Sequence, residues 1–185
     1  SFQPCALCTF TGGYFIFNNR YYFFIKEQDY EGNSRDILYA SDGTLTGTVP
    51  VYALAAGGIF MGENNGQLVF FDVGNYSNTA LYRTDGTVTG TEVVRRIISG
   101  AINYLKIADK IYFTDHDADY DPSGGYSFED WYQLMQSDGF TAKSIRSMGG
   151  GSFAGSDNLV NLNGALIFTT GNVIPGQSGN NGKRL

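Results

Sequence analysis

One motif recurs three times along this chain and restricts the folds that it can adopt. The copies are LYASDGTLTGTVPV from Leu38, LYRTDGTVTGTEVV from Leu81 and LMQSDGFTAKSIRS from Leu134. Their aspartates are Asp42, Asp85 and Asp138, and Phe140 replaces the usual threonine in the third copy. A period of about 40 to 50 residues made of strand and turn sequence is typical of β-propellers, where each repeat forms one sheet.

A second element, an apolar run that follows a turn, recurs four times. The runs are YYFFIKE after Arg20, LVFFDV after Gln67, IYFTDHD after Lys110 and LIFTTGN after Ala165. The preceding turns are Asn18-Asn19, Asn64-Asn65-Gly66, Ala108-Asp109 and Asn163-Gly164. Such residues tolerate the positive φ that a two-residue hairpin demands. The runs are nearly continuous in apolar residues, so we expect both faces of each strand to be covered.

Each full repeat is expected to supply four strands. In the second repeat these are Gln67–Val73, Ala80–Asp85, Thr91–Ile97 and Ala101–Asp109. The predicted fold class is all-β, a four-bladed β-propeller that occupies residues 1–185 as a single domain. Its repeats are expected at about 20–65, 66–109 and 110–164.

The fourth blade is expected to be shared between the N-terminal and C-terminal segments, residues 1–19 and 165–185. Near the N-terminus, Gly12-Gly13-Tyr14-Phe15 parallels Gly57-Gly58-Ile59-Phe60 of the first repeat. A closed ring removes the exposed sheet edges that otherwise pair with other chains. The two halves of this blade could also come from neighbouring subunits, which would give a strand-exchanged polymer.

The Asp-Gly turn itself is interpreted as structural. Glycine supplies the turn conformation, while Asp and Thr side chains bond nearby backbone amides. The alternative is a ligand or a metal ion at the aspartate. The residues concerned are Asp42, Gly43, Thr44, Asp85, Gly86, Thr87, Asp138 and Gly139.

The first two copies of the motif carry a resemblance to a known family. Leu38-Tyr39-x-x-Asp42-Gly43-Thr44-x-x-Gly47-Thr48 and Leu81-Tyr82-x-x-Asp85-Gly86-Thr87-x-x-Gly90-Thr91 resemble the repeat of bacterial ELWxxDGT proteins. They depart from it in having Tyr for Trp and no Glu before Leu. The resemblance implies an extracellular or cell-surface propeller, and it implies no catalytic activity.

Charge and hydropathy narrow the range of partners. The net charge is −6, and Lys and Arg cluster only at Arg95-Arg96 and Lys183-Arg184, so nucleic acid is not an expected partner. No apolar stretch approaches the roughly 20 residues that span a bilayer. The sequence begins at Ser1 without a methionine, which is expected of a processed chain or of a piece of a longer one.

An acidic stretch is the strongest candidate for metal binding. Asp115, Asp117, Asp119 and Asp121 alternate along the chain, and such carboxylates can converge on Ca²⁺. The spacing is not that of an EF-hand, because Pro122 stands where the loop needs glycine. The alternative is a solvated acidic loop without a ligand. The sole histidine, His116, lies among these carboxylates, which makes it a poor neutral base.

The two cysteines, Cys5 and Cys8, form a single CxxC pair. One such pair is half of a zinc site, and no βαβ pattern surrounds it. In a secreted protein a disulfide is the expected chemistry, either within the pair or to a neighbouring chain. Free buried thiols and a metal or redox role remain alternatives.

The function expected from the sequence is that of a non-enzymatic extracellular or cell-surface module for adhesion, recognition or assembly. Tyr126 and Trp131, beside the acidic stretch, are the candidate contacts to a protein or carbohydrate ligand. Self-association into a homo-oligomer or filament is a further expectation. The alternative is a glycan-processing enzyme of the glycoside hydrolase type, whose paired carboxylates would come from distant blades.

Overall fold

A computed structural model describes residues 7–74, 79–97, 103–116, 132–149, 159–168, 170–171 and 183–184. Within these ranges the chain is entirely strand, turn and connecting coil. This confirms the predicted all-β class, and the sheets are consistent with propeller blades. No helix in the described part of the chain is long and apolar enough to cross a membrane.

Three four-stranded antiparallel sheets make up most of the described chain. The first contains β1 (Leu7–Phe17), β2 (Arg20–Gln28), β3 (Ser34–Ser41) and β4 (Val49–Leu54). The second contains β5 (Gly57–Asn64), β6 (Gln67–Val73), β7 (Thr79–Thr84) and β8 (Thr91–Ile97). The third contains β9 (Tyr104–Ile107), β10 (Lys110–His116), β11 (Tyr132–Ser137) and β12 (Ala142–Gly149).

Two shorter strand pairs follow the third sheet. They are β13 (Leu159–Leu162) with β14 (Ala165–Phe168), and β15 (Thr170–Gly171) with β16 (Lys183–Arg184). The chain forms two compact units, Ser1–Arg96 and Ile97–Leu185. The first two sheets belong to the first unit, apart from the last residue of β8.

Tight turns join the first two strands of each four-stranded sheet and the two strands of the β13–β14 pair. Asn18 and Asn19 have φ values of 49° and 58°, and Asn65 and Asn163 have 50° and 51°. Asparagine enters this left-handed region more readily than other non-glycine residues, so the local sequence fixes these hairpins. Ala108 adopts the same conformation, at φ 52°, without that advantage.

The sheets are displaced by one strand from the predicted repeats. β1 pairs with β2, from Phe17 opposite Arg20 outward, so residues 7–17 form an edge strand of the first sheet. Likewise β9 pairs with β10 in the third sheet and does not complete the second. A two-residue turn folds the chain back onto itself, so the strands on either side of it must pair. A blade shared between the chain ends is not found among the described strands.

The core of the first unit lies between the first two sheets. Tyr22, Phe24 and Leu38 of the first sheet pack against Phe70 and Tyr82 of the second in one buried cluster. Burying each such side chain stabilises the fold by about 1.5 to 3 kcal/mol. We call the side of the first sheet that carries Tyr22 and Phe24 its packed face.

Close contact between these two sheets depends on a glycine and on a ring stack. The Phe24 and Phe60 rings lie 4.3 Å apart, centroid to centroid. A Cβ atom on Gly58 would come within 2.1 Å of the Phe24 ring. Glycine at this position therefore lets β5 approach the first sheet.

Candidate functional site

The Asp-Gly-Thr turn between β3 and β4 is held together by its own side chains. One oxygen of Asp42, Oδ1, accepts hydrogen bonds from the Thr44 amide at 2.9 Å and from the Thr44 hydroxyl at 2.7 Å. The Thr44 hydroxyl in turn accepts the Gly47 amide at 2.9 Å. Thr48 donates its hydroxyl to the Thr44 carbonyl at 2.7 Å. These are the local bonds that the sequence motif predicts.

The turn between β7 and β8 repeats this geometry. Asp85 Oδ1 accepts the Thr87 amide at 2.9 Å and the Thr87 hydroxyl at 2.7 Å. The second glycine of the motif is needed because of this aspartate: a Cβ atom at Gly90 would lie 2.0 Å from Asp85 Oδ1. Gly47 has the same relation to Asp42, at 1.9 Å. The glycine of the Gly-Thr pair therefore leaves space for the aspartate side chain, and the pair closes the loop around it.

The third turn is shorter but keeps the role of its aspartate. Asp138 Oδ1 accepts the backbone amides of Phe140 at 2.9 Å and Thr141 at 2.8 Å. Hydrogen bonds hold the pKa of all three turn aspartates below its usual value. The first cause is the threonine side chain for Asp42 and Asp85, and the Thr141 amide for Asp138. An ionised carboxylate that already accepts two or more bonds is suited to a structural role.

Two buried carboxylates, Asp36 and Asp72, lie in β3 of the first sheet and β6 of the second. Asp72 accepts the backbone amides of Ala55 at 2.8 Å and Ala56 at 3.3 Å, which fixes the connection from β4 to β5. Burial raises the pKa of Asp72, the two amides oppose the rise, and the charge of Asp36 adds to it. Asp36 lies 3.7 Å from the Lys26 amine and accepts the Thr11 hydroxyl at 3.4 Å.

The acidic stretch differs from its prediction at its first residue. Asp115 lies in β10 opposite Gln133, with its side chain fully buried, and is not part of a loop. The strand extends this far because β10 and β11 remain paired up to His116 and Tyr132. Asp117, Asp119 and Asp121 lie outside the described residues, as do Tyr126 and Trp131. In the described ranges no group of three or more His, Cys, Asp or Glu residues could hold a metal ion.

The cysteine pair is described only in part. Cys8 lies in β1 and is disulfide-bonded. Cys5 lies outside the described residues, so the Cys5–Cys8 disulfide stays a prediction.

The described surface carries one feature that the sequence analysis did not single out. Side chains of β1 and β2 that point away from the packed face form an exposed apolar surface, which we call the open face. Its most exposed members are Tyr14 at 64%, Ile16 at 56%, Phe10 at 55% and Tyr21 at 47%. Tyr14 and Ile16 lie opposite Phe23 and Tyr21 in the strand register, and opposed residues share a side of the sheet.

Aromatic side chains of this surface pack against one another and against β3. Phe10 lies 6.2 Å from Phe23, and Tyr14 lies 6.1 Å from Tyr21. Phe23 stacks on Tyr39 at 6.0 Å. The Tyr39 hydroxyl donates to Glu27, and burial followed by this bond raises the pKa of Tyr39 to about 12. The continuous apolar run of β2 was the available signal, since it placed aromatic side chains on both sides of that strand.

Comparison with known proteins adds little. No family model matches the chain, and no curated protein matches it. Among solved structures it is similar to an α-L-arabinofuranosidase from Clostridium thermocellum, with 16% identity and a TM-score of 0.34. The match covers 86% of this chain but only 59% of that chain. A likeness at this TM-score carries no argument about function.

Proposed function

We propose that the chain is a non-enzymatic propeller module that works outside the cell or at its surface in recognition and assembly. The observation that carries this proposal is the open face, an exposed aromatic surface on a regular sheet. Exposed contiguous apolar surface on a folded protein marks sites of interaction with other molecules. Tyrosine is especially suited to such surfaces, because it offers a large apolar ring with a polar end.

The turn aspartates support the same proposal. Asp42 and Asp85 each accept bonds from within their own turn, and these bonds account for the motif. The shared geometry of the two turns supports a structural role for the motif. Their resemblance to ELWxxDGT repeats is part of the proposal and favours the cell surface.

A propeller of at least four sheets is also proposed. The β13–β14 hairpin turns at Asn163-Gly164, with Leu162 opposite Ala165. It has the same form as the hairpins that open the first three sheets, so we take it as the start of a fourth. Whether the ring closes within one chain or between chains follows from the assembly state.

Surface location can be tested on intact cells of the source organism. We expect an added protease to remove the protein from intact cells, while a cytoplasmic marker stays whole. Recognition is tested separately on a glycan array with the purified chain, where the Tyr14→Ser variant should bind at least about tenfold more weakly than wild type. Leu45→Ser is the matched control, since Leu45 is 88% exposed on a turn outside the open face. A protein that is protected in intact cells would refute the proposed location.

Calcium at the acidic stretch remains a proposal from the sequence. It concerns Asp117, Asp119 and Asp121, because the buried Asp115 belongs to a strand. Calorimetry with Ca²⁺ should show heat of binding, and Ca²⁺ should raise the melting temperature. An Asp119→Asn variant should lose both effects, and no heat from wild type would reject the site.

A glycan-processing enzyme is the second candidate, favoured by Asp36 and Asp72. Two neighbouring carboxyl groups, one with a raised pKa, are what glycoside hydrolysis requires. This candidate predicts release of reducing sugar by wild type and its loss in Asp36→Asn. Binding on the array without release of sugar favours the recognition module.

A further inference from the structure

We infer that the open face of the first sheet is a docking site for the β13–β14 hairpin of a second copy of this chain. The two copies would join head to tail, sheet against sheet. This inference deepens the proposed assembly role and rests on it. It follows from a comparison of equivalent positions in successive repeats.

The open face of the first sheet corresponds to the side of the second sheet that packs against the first sheet. In the second sheet Phe70 stacks on Tyr82 at 5.4 Å with an interplanar angle of 10°. In the first sheet Phe23 stacks on Tyr39 at 6.0 Å with an angle of 11°. Both pairs are directly opposed residues in the strand register. We call this stacked pair of rings the aromatic platform. It lies on the same side of both sheets.

Their surroundings differ. Phe70 and Tyr82 are 0% and 6% exposed; in the first sheet Tyr39 is also buried, at 5%, but Phe23 is only half-buried and the β1 side chains beside it are exposed. The pair of the second sheet meets the packed face of the first sheet, where Phe24 lies 6.0 Å from Phe70 and Tyr52 donates its hydroxyl to that of Tyr82 at 2.7 Å. The established contact between these sheets defines what such a platform accepts: the packed face of another repeat.

Tyr14 adds a further correspondence. It lies opposite Phe23 as Phe60 lies opposite Phe70. Phe60 is the residue that stacks on Phe24 of the neighbouring sheet. Tyr14 thus holds the position of an inter-sheet contact, yet it is 64% exposed.

The turns give an independent sign of the same difference. A Cβ atom on Gly86 would lie 2.1 Å from the Tyr22 hydroxyl, which reaches over from the first sheet. A Cβ atom on the equivalent Gly43 would meet nothing within 4 Å. The place that a neighbouring packed face fills beside the second sheet is therefore open beside the first.

The β13–β14 hairpin offers a packed face that is itself exposed. Leu162 lies opposite Ala165 as Phe17 lies opposite Arg20, and Val160 lies opposite Ile167 as Phe15 lies opposite Tyr22. Phe15, Phe17 and Tyr22 belong to the packed face of the first sheet. Their counterparts Val160, Leu162 and Ile167 are 49%, 59% and 37% exposed.

Among the described residues, the open face of the first sheet and the packed face of the β13–β14 hairpin are thus two different exposed surfaces. Contact between them across two copies is heterologous, which forms chains or rings and does not stop at a symmetric dimer. A dimer through two open faces would instead be isologous. This difference allows a decisive test.

Sedimentation velocity over a concentration series tests the inference with the 185-residue chain. Wild type should associate beyond the dimer, while Ile16→Lys and Leu162→Lys should each be monomeric, with association weakened at least about tenfold. Mixed in equal amounts, the two variants should form a dimer and nothing larger, since one open face and one packed face remain intact. Leu45→Lys, which places the same charge on an exposed turn, should associate like wild type.

Three results would overturn the inference. They are a monomeric wild type at all concentrations, self-association of Leu162→Lys alone, and equal loss of association in Leu45→Lys. Near-ultraviolet circular dichroism of each variant ensures that a loss of association is not a loss of fold, and Tyr14→Ser serves if Ile16→Lys does not fold. Protease access in intact cells tests the proposed location apart from self-association, so a monomeric chain would leave the proposed surface location and recognition role standing.

Discussion

The first and second sheets carry the same aromatic stack on the same side, but in different surroundings. Phe70 on Tyr82 is enclosed by the neighbouring sheet, whereas Phe23 on Tyr39 borders the exposed side chains of β1. The repeat pattern builds the same aromatic stack in these two sheets, whereas Met135 lies opposite Phe113 in the third. The neighbouring sheet decides whether the stack lies in the core or beside an exposed surface. One motif can therefore serve both stability and assembly.

The largest expected difference is between two phenylalanine truncations. Phe70→Ala removes a fully buried ring and should lower the free energy of unfolding by about 3 to 5 kcal/mol. Phe23→Ala removes a half-buried ring and should cost about 1 to 2 kcal/mol, in proportion to the apolar area it covers. Urea unfolding at a protein concentration where the chain is monomeric measures both. Equal losses in the free energy of unfolding for the two variants would contradict the difference between the two sheets.

The turn glycines give a second matched pair. Gly43 and Gly86 have φ values of 91° and 98°, so alanine is strained at either position. Only Gly86→Ala also pushes against the Tyr22 hydroxyl, so it should lower stability by about 1 to 3 kcal/mol more than Gly43→Ala. Thermal unfolding of the two variants side by side gives the difference. Combining Gly86→Ala with Tyr22→Phe should recover part of the extra loss.

A smaller effect is expected from removing a single hydroxyl. Tyr82→Phe deletes the bond to the Tyr52 hydroxyl across the two sheets and should cost about 0.5 to 1.5 kcal/mol. Tyr14→Phe deletes a hydroxyl from an exposed ring and should stay within about 0.5 kcal/mol of wild type. Urea titration resolves the two. A costly Tyr14→Phe would mean that the open face contributes to the fold of the monomer.

The smallest effect should be shared by both sheets. Thr44→Val and Thr87→Val each remove the first cause of the lowered aspartate pKa, and we expect equal, small falls in melting temperature near neutral pH. An aspartate pKa that is lowered in the folded state stabilises the protein above the ordinary aspartate value of 3.8, and this stabilisation is lost as the pH falls through the folded pKa. The variants should therefore approach wild type in stability below that pH. Unequal falls at neutral pH would show that the two turns differ despite their matching bonds.

Local features were predictable because neighbouring residues decide them. Asn18-Asn19 and Asn163-Gly164 tolerate positive φ, so their hairpins follow from the sequence. The same holds for Asp42 with Thr44, which bond within their own turn. The grouping of strands into sheets was not predicted correctly, because the motif marks a turn. A turn does not determine which four strands share a sheet.

Burial was predictable on average but not at single positions. The alternating aspartates suggested a solvated stretch beginning at Asp115, yet pairing with β11 carries Asp115 into a buried strand position. Asp72 occupies the equivalent position in β6 and binds two backbone amides. A carboxylate in a strand is not distinguishable in sequence from one in a loop until its partners are known.

By itself, the sequence determined the all-β class, the hairpin turns and the hydrogen bonds of the Asp-Gly-Thr motif. All of these depend on backbone preferences and contacts within a few residues. Only the tertiary structure decided that Phe70 of the second sheet is fully buried while Phe23, its equivalent in the first sheet, is half-buried beside the exposed side chains of β1. The two sheets carry nearly the same pattern, so the difference lies in what packs beside them, and packing between sheets joins residues that are distant in the chain.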